Sequence, residues 1–267
     1  MWKVLAYLTV LVFSVSMTNN YCKMCSDHTM CMYKGVSERC GKFIKQGLDK
    51  SEKKSIVDIH NMLRNKVALG EEKRGKPGPQ PTASNMMRMS WDGELATIAQ
   101  IWAEQCLYGH DLCRNSGRFQ VGQNIHLGSK SIYIAENITD GILSFYNEVE
   151  YFNKNNLDPF RFNVKSGHYS QLVWAETFLV GCGYIIFQES HWTKYLLVCN
   201  YGSAGNYEGE SMYKVGRPGS GCILYQDRGI MSSAHGYEPA SPGIDSWLVP
   251  KGSFLKGKQP QRSPGFG

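Results

Sequence analysis

His168 heads the segment Gly167–Thr177 (GHYSQLVWAET), with the hydroxyl groups of Tyr169 and Ser170 beside it. An imidazole in such company can move a proton, activate a hydroxyl or donate a nitrogen to a metal. His110 lies between Cys106 and Cys113, so two disulfide anchors on either side would give it a well-fixed position. Glu148 sits at the edge of an apolar helical stripe, where a single glutamate is more often solvated surface than part of a site. His60 and Arg64 fall one turn apart in HNMLRNKVA and read as structural. No HExxH pair and no recognisable oxyanion arrangement accompanies any of these groups; Ser170, two residues from His168 along a strand, shares its face, but strand serines are common. Cys22-Lys-Met-Cys25 has redox spacing but no βαβ context, so it reads as structural.

The elements that must position these groups follow from hydrophobic spacing. Tyr169, Leu172, Val173 and Trp174 are read as a half-buried strand that carries His168 to the rim of a core. Val180–Gln188 and Tyr195–Tyr201 are two further strands, and the three are expected to form an antiparallel sheet. Asp49 or Ser51 caps a helix with Ile56, Ile59, Leu63 and Val67 on one face and Gly70 as its stop. Trp91–Cys106 gives a second helix, through Leu95, Ile98, Ala99, Trp102 and Cys106. Ile132–Phe152 gives a third, through Ile138, Ile142, Phe145 and Val149. Repeated Pro and Gly make Arg74–Met87 a loop.

The first 18 residues, MWKVLAYLTVLVFSVSMT, read as a secretory signal peptide, which places the protein outside the cell. All nine cysteines lie beyond it, an odd number that leaves one thiol over from a disulfide framework. A cysteine-rich segment (19–50) is expected to pack on a main domain (51–213), followed by a flexible Gly/Pro/Ser-rich extension (214–267). The net charge of +6 comes with no nucleic-acid motif, and no later apolar run is long enough to span a membrane. Asn137-Ile-Thr139 is a glycosylation sequon in an exported chain.

GHYSQLVWAET and CNYGSAGNY (Cys199–Tyr207) resemble the two signatures of the CAP superfamily of secreted proteins. NNYC, HNMLRNKVALG, RGKPGPQP and WAEQCLYGHDLCRNSGRFQVGQNI resemble its insect venom allergen (antigen 5) branch, so the likeness spans about Asn19–Tyr213. The resemblance implies an α+β fold, an α-β-α sandwich with a central antiparallel sheet between helices. It implies disulfides Cys22–Cys31, Cys25–Cys113, Cys40–Cys106 and Cys182–Cys199, with Cys222 either free or linking two otherwise monomeric chains. The last pair closes a loop for which chain entropy gives about 3 kcal/mol.

The resemblance also implies a cleft lined by His110, Glu148 and His168, with Gln123 where many relatives carry Glu. His110, His168 and Glu148 would be a three-ligand shell for Zn²⁺, or else a hydrogen-bonded network that needs no metal. Gln123 should weaken cation binding and is a poor base. The function implied is that of a venom or salivary protein, allergenic and non-enzymatic, with no required cofactor. It would act by binding a small lipid, a host receptor or a divalent metal. A weak metal-dependent hydrolase using the His/Glu cleft is the alternative. Tyr146, Tyr151, Phe152, Phe160 and Phe162 are candidates to line a lipid site, although such residues are more often core.

Overall fold

A computed structural model describes residues 20–224 and 248–250 of the chain. The signal-peptide reading and most of the 214–267 extension lie outside the described residues, and Cys222 is described in its backbone alone, which leaves the state of its thiol outside as well. Within that extension, β6 (Cys222–Leu224) and β7 (Leu248–Pro250) pair antiparallel as a separate ladder.

The main sheet runs β1 (Phe43–Gln46), β4 (Leu179–Glu189), β5 (Trp192–Gly202), β3 (Gly122–Lys130), with all neighbours antiparallel. The two-residue β2 (Ser90–Trp91) pairs parallel with β4. Strands β4 and β5 are buried over nearly their whole length because both sheet faces are covered by helices. On one face, α2 (Gly93–Ala103) sets Ala99, Trp102 and Ala103 against Ile125, Ile185, Phe187, Leu196 and Val198. On the other, α1 (Lys50–Ala68), α3 (Ile138–Asn147) and α4 (Gly167–Leu172) join Tyr184, Ile186, Tyr195, Leu197 and Tyr201 in the larger core. The period-2 alternation of the strands sorts these residues into two cores, which makes the molecule an α-β-α sandwich.

Helix boundaries have local causes. Asp49 and Glu52 form a reciprocal capping box at the start of α1, and Asp92 caps α2 through the Leu95 N–H. Asn137 caps α3 by accepting from the Thr139 N–H, so the sequon is also the helix start. The third helix is therefore shorter than expected; Glu148–Tyr151 continues it only as a 3₁₀ turn.

Two strand expectations need correction. Gly167–Leu172 is helical, because Tyr169, Leu172 and Val173 stand at i, i+3 and i+4, a helical spacing that the alternating pattern obscured. Conversely, β3 was not anticipated, because its buried positions include the polar Gln123 and Asn124.

Four disulfides join Cys22–Cys31, Cys25–Cys113, Cys40–Cys106 and Cys182–Cys199, the pairs that the family resemblance implies. Cys182 and Cys199 are directly opposed on β4 and β5. Two of the bonds tie the irregular N-terminal segment to Cys106 and Cys113, on either side of His110.

Two buried charges brace the loops. Arg64 on α1 is 1% exposed and donates to the carbonyls of Met87, Leu172, Trp174, Ala175 and Thr177. Glu72, also 1% exposed, accepts from Arg74 and from the Tyr146 hydroxyl and pairs with Lys66 at 3.1 Å. Burial pushes the Glu72 carboxyl up, but these donors outweigh it and hold the group down at about 2. A carboxylate depressed in the folded state contributes stability that is present above its unfolded value and lost as pH falls through the folded one. Stability is therefore expected to drop by on the order of 2 kcal/mol between about pH 4.5 and pH 2 through this group. Urea titrations across that range should show a shallower acid limb in Glu72→Gln, and an unchanged limb would refute the assignment.

Candidate functional site

The edge strand β3 organises the candidate site, because successive residues point to opposite faces of the sheet. Gln123 lies on the α2 side and Asn124 on the α3/α4 side, each holding one half of the site. On the first side, Gln123 Oε1 accepts from His110 Nδ1 at 2.7 Å. The Gln123 amide nitrogen donates to Asp111 Oδ1 and to Asn200 Oδ1, both at 3.0 Å. Asn200 is itself turned by its donation to the Leu95 carbonyl, so both partners present acceptors and the amide can face only one way.

On the second side, Asn124 Nδ2 donates to the His168 carbonyl at 3.0 Å. Glu148 Oε1 accepts from His168 Nδ1 at 2.7 Å, and its Oε2 accepts from the His168 backbone N–H at 2.9 Å. The carboxylate thus grips both the ring and the first turn of α4. Phe145 packs on the His168 ring with centroids 5.0 Å apart.

These bonds assign the tautomers. Each imidazole gives its Nδ1 proton to a fixed acceptor, and among the described residues the Nε2 of neither ring has a hydrogen-bond partner. His110 is exposed at the mouth of the site, yet desolvation by surrounding protein atoms lowers its pKa. Its hydrogen bond to Gln123 opposes that shift, while Arg114 and His168 add to it. His110 is therefore neutral near pH 7, as a nitrogen ligand must be.

The four cleft residues expected from the sequence come together as two pairs, His110 with Gln123 and His168 with Glu148. The ligand atoms of His110, Glu148 and His168 do not all lie within 4.8 Å of one another, so the three-ligand shell becomes two imidazoles with Glu148 orienting one of them. Among the described residues, one group of three does meet that distance, Cys25, Asp27 and Cys113, but the Cys25–Cys113 disulfide consumes both thiols.

Neither hydroxyl beside His168 serves as a nucleophile. Ser170 is 1% exposed and donates to the Ser166 and Gly167 carbonyls, and Tyr169 is fully buried. On a helix, residues two apart do not share a face, so the strand-based pairing of Ser170 with His168 fails. Of the aromatic candidates, Tyr146, Phe152 and Phe160 are core, while Tyr151 and Phe162 are 53% and 42% exposed.

His60 is fully buried, donates from Nδ1 to the Ile56 carbonyl and bonds the Tyr201 hydroxyl at 3.0 Å. Burial pushes its pKa down to about 4, a buttressing role behind Asn124. Sequence reasoning missed Asp111, Asn124 and Asn200. Each adjoins a residue already singled out (His110, Gln123 or Cys199), and adjacency was the available signal.

The profile of the cysteine-rich secretory protein (CAP) family matches residues 57–201. A venom allergen 3 homolog of Dinoponera quadriceps is 44% identical over 223 residues, covering 78% of this chain and 96% of that protein. Venom allergen 5 of Vespula maculifrons is 42% identical over 221 residues, covering 79% and 97%. Among solved structures, NaASP2 crystallised with Zn²⁺ superposes with a TM-score of 0.56 at 30% identity, over 67% of this chain and 94% of that one. Family profile, long matches to venom allergens and the shared fold agree with the architecture described above: this chain belongs to the CAP family of cysteine-rich secretory proteins.

Proposed function

We propose that this protein is exported and acts by binding, with a divalent cation held at its cleft by His110 and His168. The observation that carries the reading is the pair of imidazoles whose Nδ1 protons are committed and whose Nε2 lone pairs are not. The donor set suits a borderline cation such as Zn²⁺, with Glu148 and Gln123 orienting the ligands from behind. NaASP2, the relative solved with Zn²⁺, supports the choice. A cation bound there would act as a Lewis acid, taking a carboxylate or imidazole from a docked partner. Five exposed apolar side chains lie within six residues of His110, Glu148 or His168 along the chain: Tyr108, Leu112, Tyr151, Phe162 and Val164. They favour a macromolecular or lipid partner at this rim over a small polar substrate. The committed Ser170 hydroxyl weighs against hydrolysis.

Export is read from residues 1–18, and the exposed Asn137 is the expected glycan acceptor. N-terminal sequencing of protein secreted by insect cells should begin between Ser16 and Asn19; an uncleaved Met1 would refute this.

Calorimetric titration of metal-free protein with Zn²⁺ tests the cleft. Wild type is expected to bind one equivalent, His110→Ala/His168→Ala none, and Glu148→Gln to bind roughly 10–100-fold more weakly. Equal zinc uptake by wild type and the double variant would overturn the site. Mass spectrometry of organic extracts of the secreted protein separates the lipid partner from the protein one.

A further inference from the structure

Among the described residues three buried polar side-chain atoms have no hydrogen-bond partner, Tyr169 Oη, Gln80 Oε1 and Asn206 Oδ1, and the first two belong to residues with common neighbours. Tyr169 is 0% exposed and Gln80 2%. Gln80 cannot turn to relieve this, because its Nε2 donates to the Arg74 carbonyl at 2.9 Å and leaves Oε1 as the free acceptor.

Tyr169 and Gln80 share Phe152 and Tyr213 as neighbours. The Tyr169 ring packs on Phe152 and Tyr146, with centroids 5.3 and 5.6 Å away. The Phe152 carbonyl and Gln80 Nε2 both crowd the space where Gly75 would carry a Cβ. From the other side, the Tyr213 hydroxyl donates to the carbonyl of Pro81, next to Gln80, and lies near enough to Tyr169 to perturb it.

A buried hydroxyl and a buried amide oxygen are complementary, one a donor and the other an acceptor, and burying both unpaired is costly. We infer that an ordered water molecule bridges them, accepting from Tyr169 Oη and donating to Gln80 Oε1. Tyr213 Oη, whose own proton goes to Pro81, offers an acceptor for its second hydrogen, within the two to four partners that buried waters make. This water site ties α4, which carries His168, to the 74–81 loop. Tyr169 joins it to the cleft, since its backbone N–H also approaches Glu148 Oε2 at 3.4 Å. The inference is independent of the metal reading.

Oxygen-17 relaxation dispersion on the full secreted protein counts long-lived internal waters, and urea unfolding measures their contribution. Tyr169→Phe and Gln80→Met are each expected to hold one such water fewer than wild type. Tyr169→Phe should also lower the folding equilibrium constant about tenfold. A water count unchanged in both variants overturns the proposal, as does a Tyr169→Phe protein at least as stable as wild type. Should Tyr169→Phe fail to fold, the count in Gln80→Met alone decides. Zinc titration of the same variants reads the cleft separately.

Discussion

Arg64→Ala is expected to destabilise the protein by about 4–5 kcal/mol and to lower its melting temperature by roughly 10–15 °C. The guanidinium is buried with no carboxylate beside it among the described residues; its charge is spread over five backbone carbonyls instead. Burial pushes its pKa down to about 9, which still leaves it charged at neutral pH. Alanine would strand those carbonyls away from water and leave a cavity, two of the mechanisms behind large mutational losses. Arg64→Lys should recover only part of the loss, since an ammonium has three donors and no planar fork. The effect should reach the cleft, because Arg64 holds the Leu172 carbonyl at the end of the helix that begins with His168. Thermal unfolding followed by circular dichroism checks this, and a loss below about 1 kcal/mol would show that the clamp is not structural.

Gly183→Ala should cost about 3 kcal/mol or more, although it adds a single methyl group. A Cβ at Gly183 would stand 2.3 Å from the backbone N and Cα of Gln100, and one at Gly181 would stand 2.2 Å from the Ala96 N. The axis of α2 therefore lies directly on β4, and only a missing side chain permits that approach. Backbone cannot swing aside as a side-chain tip can, so the helix must lift and open the core of Trp102, Ile185 and Val198. Gly117→Ala is the control: it is exposed with open space around its Cβ position, and a change within about 0.5 kcal/mol is expected. Guanidinium unfolding of both variants separates the cases, and equal midpoints would contradict the close helix–strand contact.

Much of the architecture could be read along the chain wherever a periodic apolar pattern coincided with a local stop or start. Lys50–Ala68 carried both a capping box and a clean helical stripe, and β4 and β5 carried long β-branched and aromatic runs. The pattern misled at Gly167–Leu172, where a six-residue helix is too short to display its period against alternation. It gave nothing for β3, whose first half carries Gln and Asn at buried positions where an apolar pattern would have marked a strand.

What the sequence by itself supplied was the candidate site groups, His110, Gln123, Glu148 and His168, and the family blocks that contain them. What only the tertiary structure decided was their division of labour. Hydrogen-bond direction depends on which acceptor lies behind each ring, and those acceptors come from β3 and from the turn after α3, 13 and 20 residues away along the chain. Glu148 is spent orienting His168, Gln123 is locked as an amide by Asp111 and Asn200, and Ser170 turns into its own helix. Residue types set which chemistry was available, and the direction of each hydrogen bond set which atoms remain free to do it.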